Sequence, residues 1–425
     1  MKIPGLRWYL CFLLFCATAL CFLDRQVLSV VAPKLCQQFA MDNKTYGYTT
    51  TAFLVSYAIM FLLGGRLVDR LGTRLGLGLS VAFWSLASGV HGLITSPLQL
   101  GMARFALGLG EGACFPGAAK AASEWFPPRQ RALAVGIAIG GASLGGVVAP
   151  PLTAWCVASW GWREAFFLTG FFGATWTLLW FLFYHHPKES PYLTQKERNY
   201  IEQATAEDET AKPADKPSTS PSFFSLLARR DVLGLSLARF LFDPVFYFYM
   251  FWIPQYLSQE RNLSIDAIGA LTWIPFLALG LSNIIGGWLS DKLVRYGVPV
   301  MTARKGVMLL AAIVTMCSGL AAFSQSPGFA IAMMSLLLFA HGFWITNYVT
   351  LISDRFDKNS VGSVMGITGM IGTIGGMCAS TAIGFIADSF GFFPVWLVSG
   401  GLYPLAFLVI VLTLKSIKNK GVQHE

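Results

Sequence analysis

Charge is what this chain has least of. Asp, Glu, Lys and Arg together make up 12% of its 425 residues, about half the share of a soluble domain. So few charges cannot cover a water-facing globule of this size, and a soluble fold is excluded. Histidine is scarce too, at five residues, and the eight cysteines form no C-x-x-C pair and no cluster with histidine. That removes the spacing of a zinc site or a dithiol redox motif. Cys11, Cys16 and Cys21 fall in one apolar run and read as small buried apolar side chains. The polar loops hold no nucleophile–base set. The chain is therefore not expected to be an enzyme, and neither metal nor cofactor is implied.

What the sequence has in plenty is apolar residues, 55% of the total. They gather in twelve segments, near 8–33, 47–68, 75–95, 98–120, 132–157 and 164–184, then 232–257, 267–289, 304–324, 328–352, 361–386 and 392–414. Each is long enough to cross about 30 Å of hydrocarbon as a helix, and lipid permits little else, because it offers backbone groups no partners. The expected fold is all-α and membrane-embedded, with twelve transmembrane helices. Lys2 and Arg7 before the first run imitate a signal peptide. The run continues past Arg25 and exceeds an h-region, so it reads as a retained first span.

The segments divide into six at 1–184, a polar stretch at 185–231, and six more at 232–425. Within the polar stretch, "LTQKERNYIEQ" reads as a surface helix, whereas "EDETAKPADKPSTSPS" has the composition of a disordered linker. With both termini in the cytoplasm, inner segments hold about 24 of the 31 Lys and Arg and outer loops about four. This bias accounts for the net charge of +9 without a nucleic acid partner. It predicts a multi-pass protein of the cell's inner membrane whose partners are the bilayer and a small molecule, and a monomer is expected.

The two groups repeat. "GGRLVDR" at 64–70 ends the second span and "GGWLSDK" at 286–292 ends the eighth. "GGVVAPPLTAWCVASWGWREAFFLTG" at 145–170 is echoed by "GGMCASTAIGFIADSFGFFPVWLVSG" at 375–400. Two homologous six-helix halves imply alternating-access transport, with the site at their interface near the midplane.

Ionisable residues inside spans are costly and mark function. From a rise of about 1.5 Å per residue, Asp24 and Arg25 of the first span, Tyr57 of the second, and Arg104 and Glu111 of the fourth fall in one layer. Arg25 offers a planar fork for a carboxylate, and Tyr57 an aromatic wall with a hydroxyl. Asp24 and Glu111 can load and release a proton. Arg104 shares a helix face with Glu111 and is expected to hold it charged. Two acids and two bases balance; a carboxylate substrate unbalances them, and a proton restores the balance. In the other half, Arg239 and Asp243 are spaced as an i,i+4 pair, read as structural or gating. Pro244 and Pro254 predict a kinked seventh span. Tyr247 and Trp252 are candidate walls for a sugar, and Asn347 a candidate ligand. His341 reads as structural. "GGRLVDRLGTR" reads as a cytoplasmic latch built on Asp69 and Arg70, with Asp291 its counterpart.

"GGRLVDRLGTR" with twelve spans resembles the signature loop of the major facilitator superfamily. "LDRQVLSVVAP", "ARFALGLGEGACFPG", "EWFPPRQRALAVGIAIGGASLGG" and "WGWREAFFLTG" resemble its anion:cation symporter family. That resemblance implies a substrate-binding arginine and tyrosine at Arg25 and Tyr57, coupling acids at Asp24 and Glu111, and the fourth-span arginine at Arg104. "RFLFDPVFYFYMFWIPQYL" and "VGSVMGITGMIGTIGGM" look most like bacterial hexuronate transporters. Thr368 and Thr373 stand where galactonate-type relatives carry asparagines, which favours a hexuronate over an aldonate. The expected function is proton-coupled import of a sugar acid, glucuronate or galacturonate. Rival readings are an aldonate or other organic-anion symporter, a cation or drug exporter, which the buried arginines oppose, and a non-transporting sugar-acid sensor.

Overall fold

The computed structural model describes residues 2–201, 223–323, 326–356 and 358–414, and they are almost entirely helical. The helices of nine residues or more are α1 (Leu6–Gln38), α2 (Asn43–His91), α3 (Pro97–Glu111), α4 (Cys114–Trp125), α5 (Pro128–Ser159), α6 (Trp162–Phe183), α7 (Arg230–Phe251), α8 (Ile253–Arg261), α9 (Ile265–Arg295), α10 (Val300–Thr315), α11 (Pro327–Arg355), α12 (Lys358–Phe390) and α13 (Phe393–Thr413). Part of "LTQKERNYIEQ", residues 195–201, is helical as expected. The linker sequence from Glu207 to Ser222 lies outside the described residues.

Ten helical stretches are each long and apolar enough to cross a membrane. Two local features bring the number of spans to twelve. The 49-residue α2 turns at Gly72, where φ is 76° and ψ 156°. A side chain would be strained there, and the helix becomes a second and a third span. The segment expected as one span at 98–120 is instead two helices, α3 and α4, meeting at Gly112 and Ala113. Asp42 starts α2 by accepting a hydrogen bond from the Thr45 amide at 2.8 Å, an N-cap that satisfies one of the helix's orphan donors.

The repeat in sequence is a repeat in packing. Where "GGRLVDR" begins, a Cβ on Gly64 would lie 2.9 Å from Ala113 Cα; where "GGWLSDK" begins, one on Gly286 would lie 2.9 Å from Phe343 Cα. In each set of six spans, glycine thus lets the second span touch the fourth, backbone to backbone. The aspartates of the two stretches follow suit. Asp69 pairs with Lys120 of α4 at 2.7 Å, not with the arginines beside it. Asp291 pairs with Arg304 of α10 at 2.7 Å, and Arg304 reaches Asp354 at 3.2 Å. Arg70 is exposed, while Arg74 donates to the Phe181 carbonyl at 2.7 Å.

The two sets of spans are joined at the end remote from the chain termini. Pro254 has no N–H, so its helix breaks at Trp252, and the carbonyls of Met250 and Phe251 are left for other donors. Gln26 donates to Met250 O at 3.4 Å, and Ser29 and Tyr46 donate to Phe251 O at 3.2 and 2.7 Å. Nearby, Asp388 of α12 accepts from the amides of Asn43 and Lys44 at 3.0 and 2.9 Å. Thr50 and Ser380 share a hydrogen bond, as do Thr51 and Thr381. The proline expected to kink the seventh span therefore also supplies acceptors that close this end. Pro244, by contrast, is accommodated inside α7.

Candidate functional site

Adjacent residues on a helix point about 100° apart, and this separates Asp24 from Arg25. Arg25 faces the junction of the two sets of spans. Its Nε donates to Glu111 Oε2 at 2.6 Å, and both side chains are buried, at 4% and 0% exposure. The guanidinium carbon lies 4.4 Å from the Tyr57 ring centre, 5.1 Å from Phe22 and 5.3 Å from Phe53. Three aromatic faces and one carboxylate thus hold the cation in a fixed orientation.

Asp24 turns the other way, into the interior of the first set. Its Oδ1 accepts from Ser88 Oγ at 2.7 Å, and Ser88 in turn shares a 2.8 Å hydrogen bond with Thr169. The side-by-side pair "DR" is therefore not an ion pair with itself. Ser88 and Thr169 come from the third and sixth spans, where hydroxyls are common and carry no sequence signal.

One expectation is corrected here. Arg104 was to hold Glu111, but Arg25 does so. Arg104 is 1% exposed, and its Nε, Nη1 and Nη2 make no hydrogen bond among the described residues. It acts on the site through charge, lying near Tyr46, Glu111 and Asp24. Glu111 Oε1 has no partner either. A buried cation and a carboxylate oxygen left unpaired are costly, which fits groups kept for a changing charge state better than groups kept for stability.

A second correction concerns Cys21, read from sequence as an apolar filler. It is one turn before Arg25 and sits in the charged cluster: Arg25 Nη2 donates to its Sγ at 3.3 Å, and that thiol donates to Glu111 Oε2 at 3.3 Å. The i,i+4 spacing to Arg25 was the available signal.

The second set of spans contributes the opposite wall. Arg239 and Asp243 form the expected i,i+4 pair at 3.0 Å. The Arg239 guanidinium also lies 6.0 Å from the Phe61 ring, whose ring is 5.6 Å from Tyr57, so this pair borders the same space as Arg25. Tyr247 OH is 3.4 Å from Thr373 Oγ1, and its ring stacks 5.9 Å from Phe251. Thr368 donates to its own helix at Met365 O.

Two candidates, the wall residue Trp252 and the ligand Asn347, make contacts of another kind. Trp252 is fully buried in the closed end, edge-on to Tyr46 at 4.9 Å and donating to Ser380 Oγ at 3.2 Å. Asn347 spends its amide N–H groups on the carbonyls of Gly286 and Phe343, at 3.2 and 2.8 Å, where α11 meets α9. Trp252 is thus part of the seam between the two sets, whereas Asn347 keeps a buried Oδ1 with no hydrogen-bond partner among the described residues. His341 stacks on Phe246 at 4.5 Å and bonds Tyr403 OH at 2.5 Å, a structural placement.

Twelve spans in two repeated sets, joined at one end around a buried charge cluster, have a match among known sequences. The profile of the Major Facilitator Superfamily covers residues 14–379 and again 235–424. The chain belongs to the major facilitator superfamily. Proteins similar to it include the hexuronate transporter of Escherichia coli (strain K12), 32% identical over 416 residues, 98% of this chain and 95% of that one. The galacturonate transporter of Dickeya chrysanthemi is 34% identical over 78% of this chain and 95% of its own length. The hexuronate transporter of Bacillus subtilis (strain 168) is 31% identical over 97% and 96%. Among solved structures, the inward-open xylose transporter XylE of E. coli superposes with a TM-score of 0.75 at 16% identity, covering 97% of this chain and 98% of that one. A bacterial homologue of the human lysosomal transporter Spinster does so with 0.73 at 18%, over 97% and 96%. This chain is accordingly a multi-pass membrane transporter of that superfamily and not an enzyme.

Proposed function

We propose that this transporter imports a hexuronate, glucuronate or galacturonate, together with a proton. The observation that carries the reading is the buried Arg25–Glu111 contact of 2.6 Å, set against Tyr57 where the two sets of spans meet. A substrate carboxylate competes with Glu111 for the same guanidinium. Protonating Glu111 releases Arg25, and the incoming carboxylate replaces the lost charge. Asp24, held by Ser88, is a second proton site, biased by the unpaired Arg104. The names of the relatives at 31–34% identity support the substrate class. A galactonate transporter of E. coli at 28% keeps an aldonate as the second reading, which the threonines at 368 and 373 disfavour.

The lysine and arginine bias supports cytoplasmic termini in an inner membrane. In that orientation the closed end is the outer one. No cofactor is required, and the transporting unit is a monomer.

The test is uptake into proteoliposomes. A tenfold inward acid gradient is expected to drive accumulation of galacturonate above equilibrium. Uptake that the gradient does not stimulate removes proton coupling; the absence of any hexuronate flux removes the substrate class.

A further inference from the structure

We propose that Cys21 is a positioning residue for the proton step, a role that rests on the reading of Glu111 as a coupling acid. Its thiol keeps Arg25 from gripping Glu111 with both arms of the guanidinium fork, so that the pair stays releasable.

The three side chains close a ring. Arg25 Nε donates to Glu111 Oε2 at 2.6 Å, and Arg25 Nη2 donates to Cys21 Sγ at 3.3 Å. The thiol donates in turn to Glu111 Oε2 at 3.3 Å. Cys21 stands one turn before Arg25 on α1, so thiol and guanidinium share a helix face. Glu111 reaches them from the last residue of α3. All three are buried.

Nε and Nη2 form the edge of the guanidinium whose two parallel N–H groups match the two oxygens of a carboxylate. Here only Nε meets Glu111. Sulfur takes Nη2, and Glu111 Oε1 has no hydrogen-bond partner among the described residues. Oε2 accepts two donors and Oε1 none, so Oε1 is the oxygen free to take a proton. A single contact is also weaker than a bidentate one. When Arg25 turns to a substrate carboxylate, the thiol still holds Oε2 and Glu111 keeps its place. The other charged and titratable groups about this ring are Asp24 of α1 and Arg104 of α3, with Cys114 of α4 beside the Cys21 thiol and Tyr57 of α2 against Arg25. None of them hydrogen-bonds Oε1.

Removing the thiol takes one weak S–H donor from Glu111 and frees Nη2, a charged donor, for Oε1. The charge-assisted bond gained is the stronger of the two. The pair therefore tightens, Glu111 becomes harder to protonate, and substrate has more to displace.

The test is calorimetric titration of galacturonate across the pH range over which wild-type affinity weakens. Cys21→Ala is expected to move the midpoint of that weakening down by about one pH unit. Above the midpoint it is expected to bind about tenfold less tightly. At the acid end the two proteins converge, because Glu111 is protonated in both. Cys21→Ser keeps a donor and an acceptor in place and is expected to keep the wild-type midpoint. Should Cys21→Ala fail to fold, Cys21→Val, apolar and of similar volume, is expected to give the same downward shift. Binding weakened equally at every pH would show a structural loss only and overturn the proposal. A midpoint that stays or rises without the thiol overturns it too, as does a serine variant shifted as far as the alanine one. Wild-type affinity that does not vary with pH fails Glu111 itself; a pH-dependent wild type with an unshifted Cys21→Ala fails Cys21 alone.

Discussion

Replacing Glu111 by glutamine removes the charge that Arg25 faces but keeps the side chain's shape and one acceptor. Removing one partner of a buried ion pair costs about 3–5 kcal/mol, because the other charge stays buried and uncompensated. Here the faces of Tyr57, Phe22 and Phe53, 4.4–5.3 Å from the guanidinium, offset about 1–2 kcal/mol of that. The remaining 2–3 kcal/mol or so is recovered by any anion that reaches Arg25. Glu111→Gln is therefore expected to be less stable when empty and to bind galacturonate about 30- to 150-fold more tightly. A proton on Glu111 does the same in the wild type, so wild-type affinity weakens as pH rises, whereas that of the variant stays flat. Calorimetric titration at pH 6 and pH 8 reads both effects. In liposomes the variant is expected to exchange substrate across the membrane but not to concentrate it. A variant that binds no more tightly than the wild type, or keeps the full pH dependence, refutes the competition between Glu111 and substrate.

Arg25→Lys keeps the charge but loses the planar fork and the stacking on Tyr57, and affinity is expected to fall at least about tenfold; unchanged affinity would remove Arg25 from the binding site. Ser88→Ala strips Asp24 of its 2.7 Å donor and is expected to lower stability by about 1–3 kcal/mol in denaturant titration; an unchanged midpoint would contradict the inward placement of Asp24. Gly47→Val puts a side chain against Ser380 O, which lies 2.8 Å from a Cβ there. It is expected to pry open the closed end, lengthening the distance between spin labels at Tyr48 and Phe385, whose rings sit 6.1 Å apart. An unaltered distance would show that this seam is not the seal.

Much of the site was legible because charge is so expensive in a membrane. Arg25, Tyr57, Arg104 and Glu111 stood out by residue type and depth alone, and Arg239 and Asp243 were paired by their spacing. The partners were not legible. Depth says which groups share a layer, but the angle around each helix decides which ones touch. That angle gave Glu111 to Arg25, left Arg104 unpaired, and sent Asp24 to Ser88 and Thr169. Cys21 was missed because a thiol in an apolar run reads as filler. The contacts of Trp252 with Ser380 and of Asn347 with the carbonyls of Gly286 and Phe343 leave no periodic signal in the sequence.

By itself the sequence determined the number of spans, the duplicated arrangement, the charged layer and the expected sidedness. Each depends on properties that add up along the chain: hydropathy, glycine spacing and the cost of buried charge. The tertiary structure decided who pairs with whom and which end is closed. Pro254 shows the division. Its place in the sequence fixes a missing N–H, yet only the packing of α1 and α2 against α7 brings Gln26, Ser29 and Tyr46 to the carbonyls at the break. Hydrogen bonds between distant residues depend on rotation and approach of whole helices, and no local stretch of sequence encodes these.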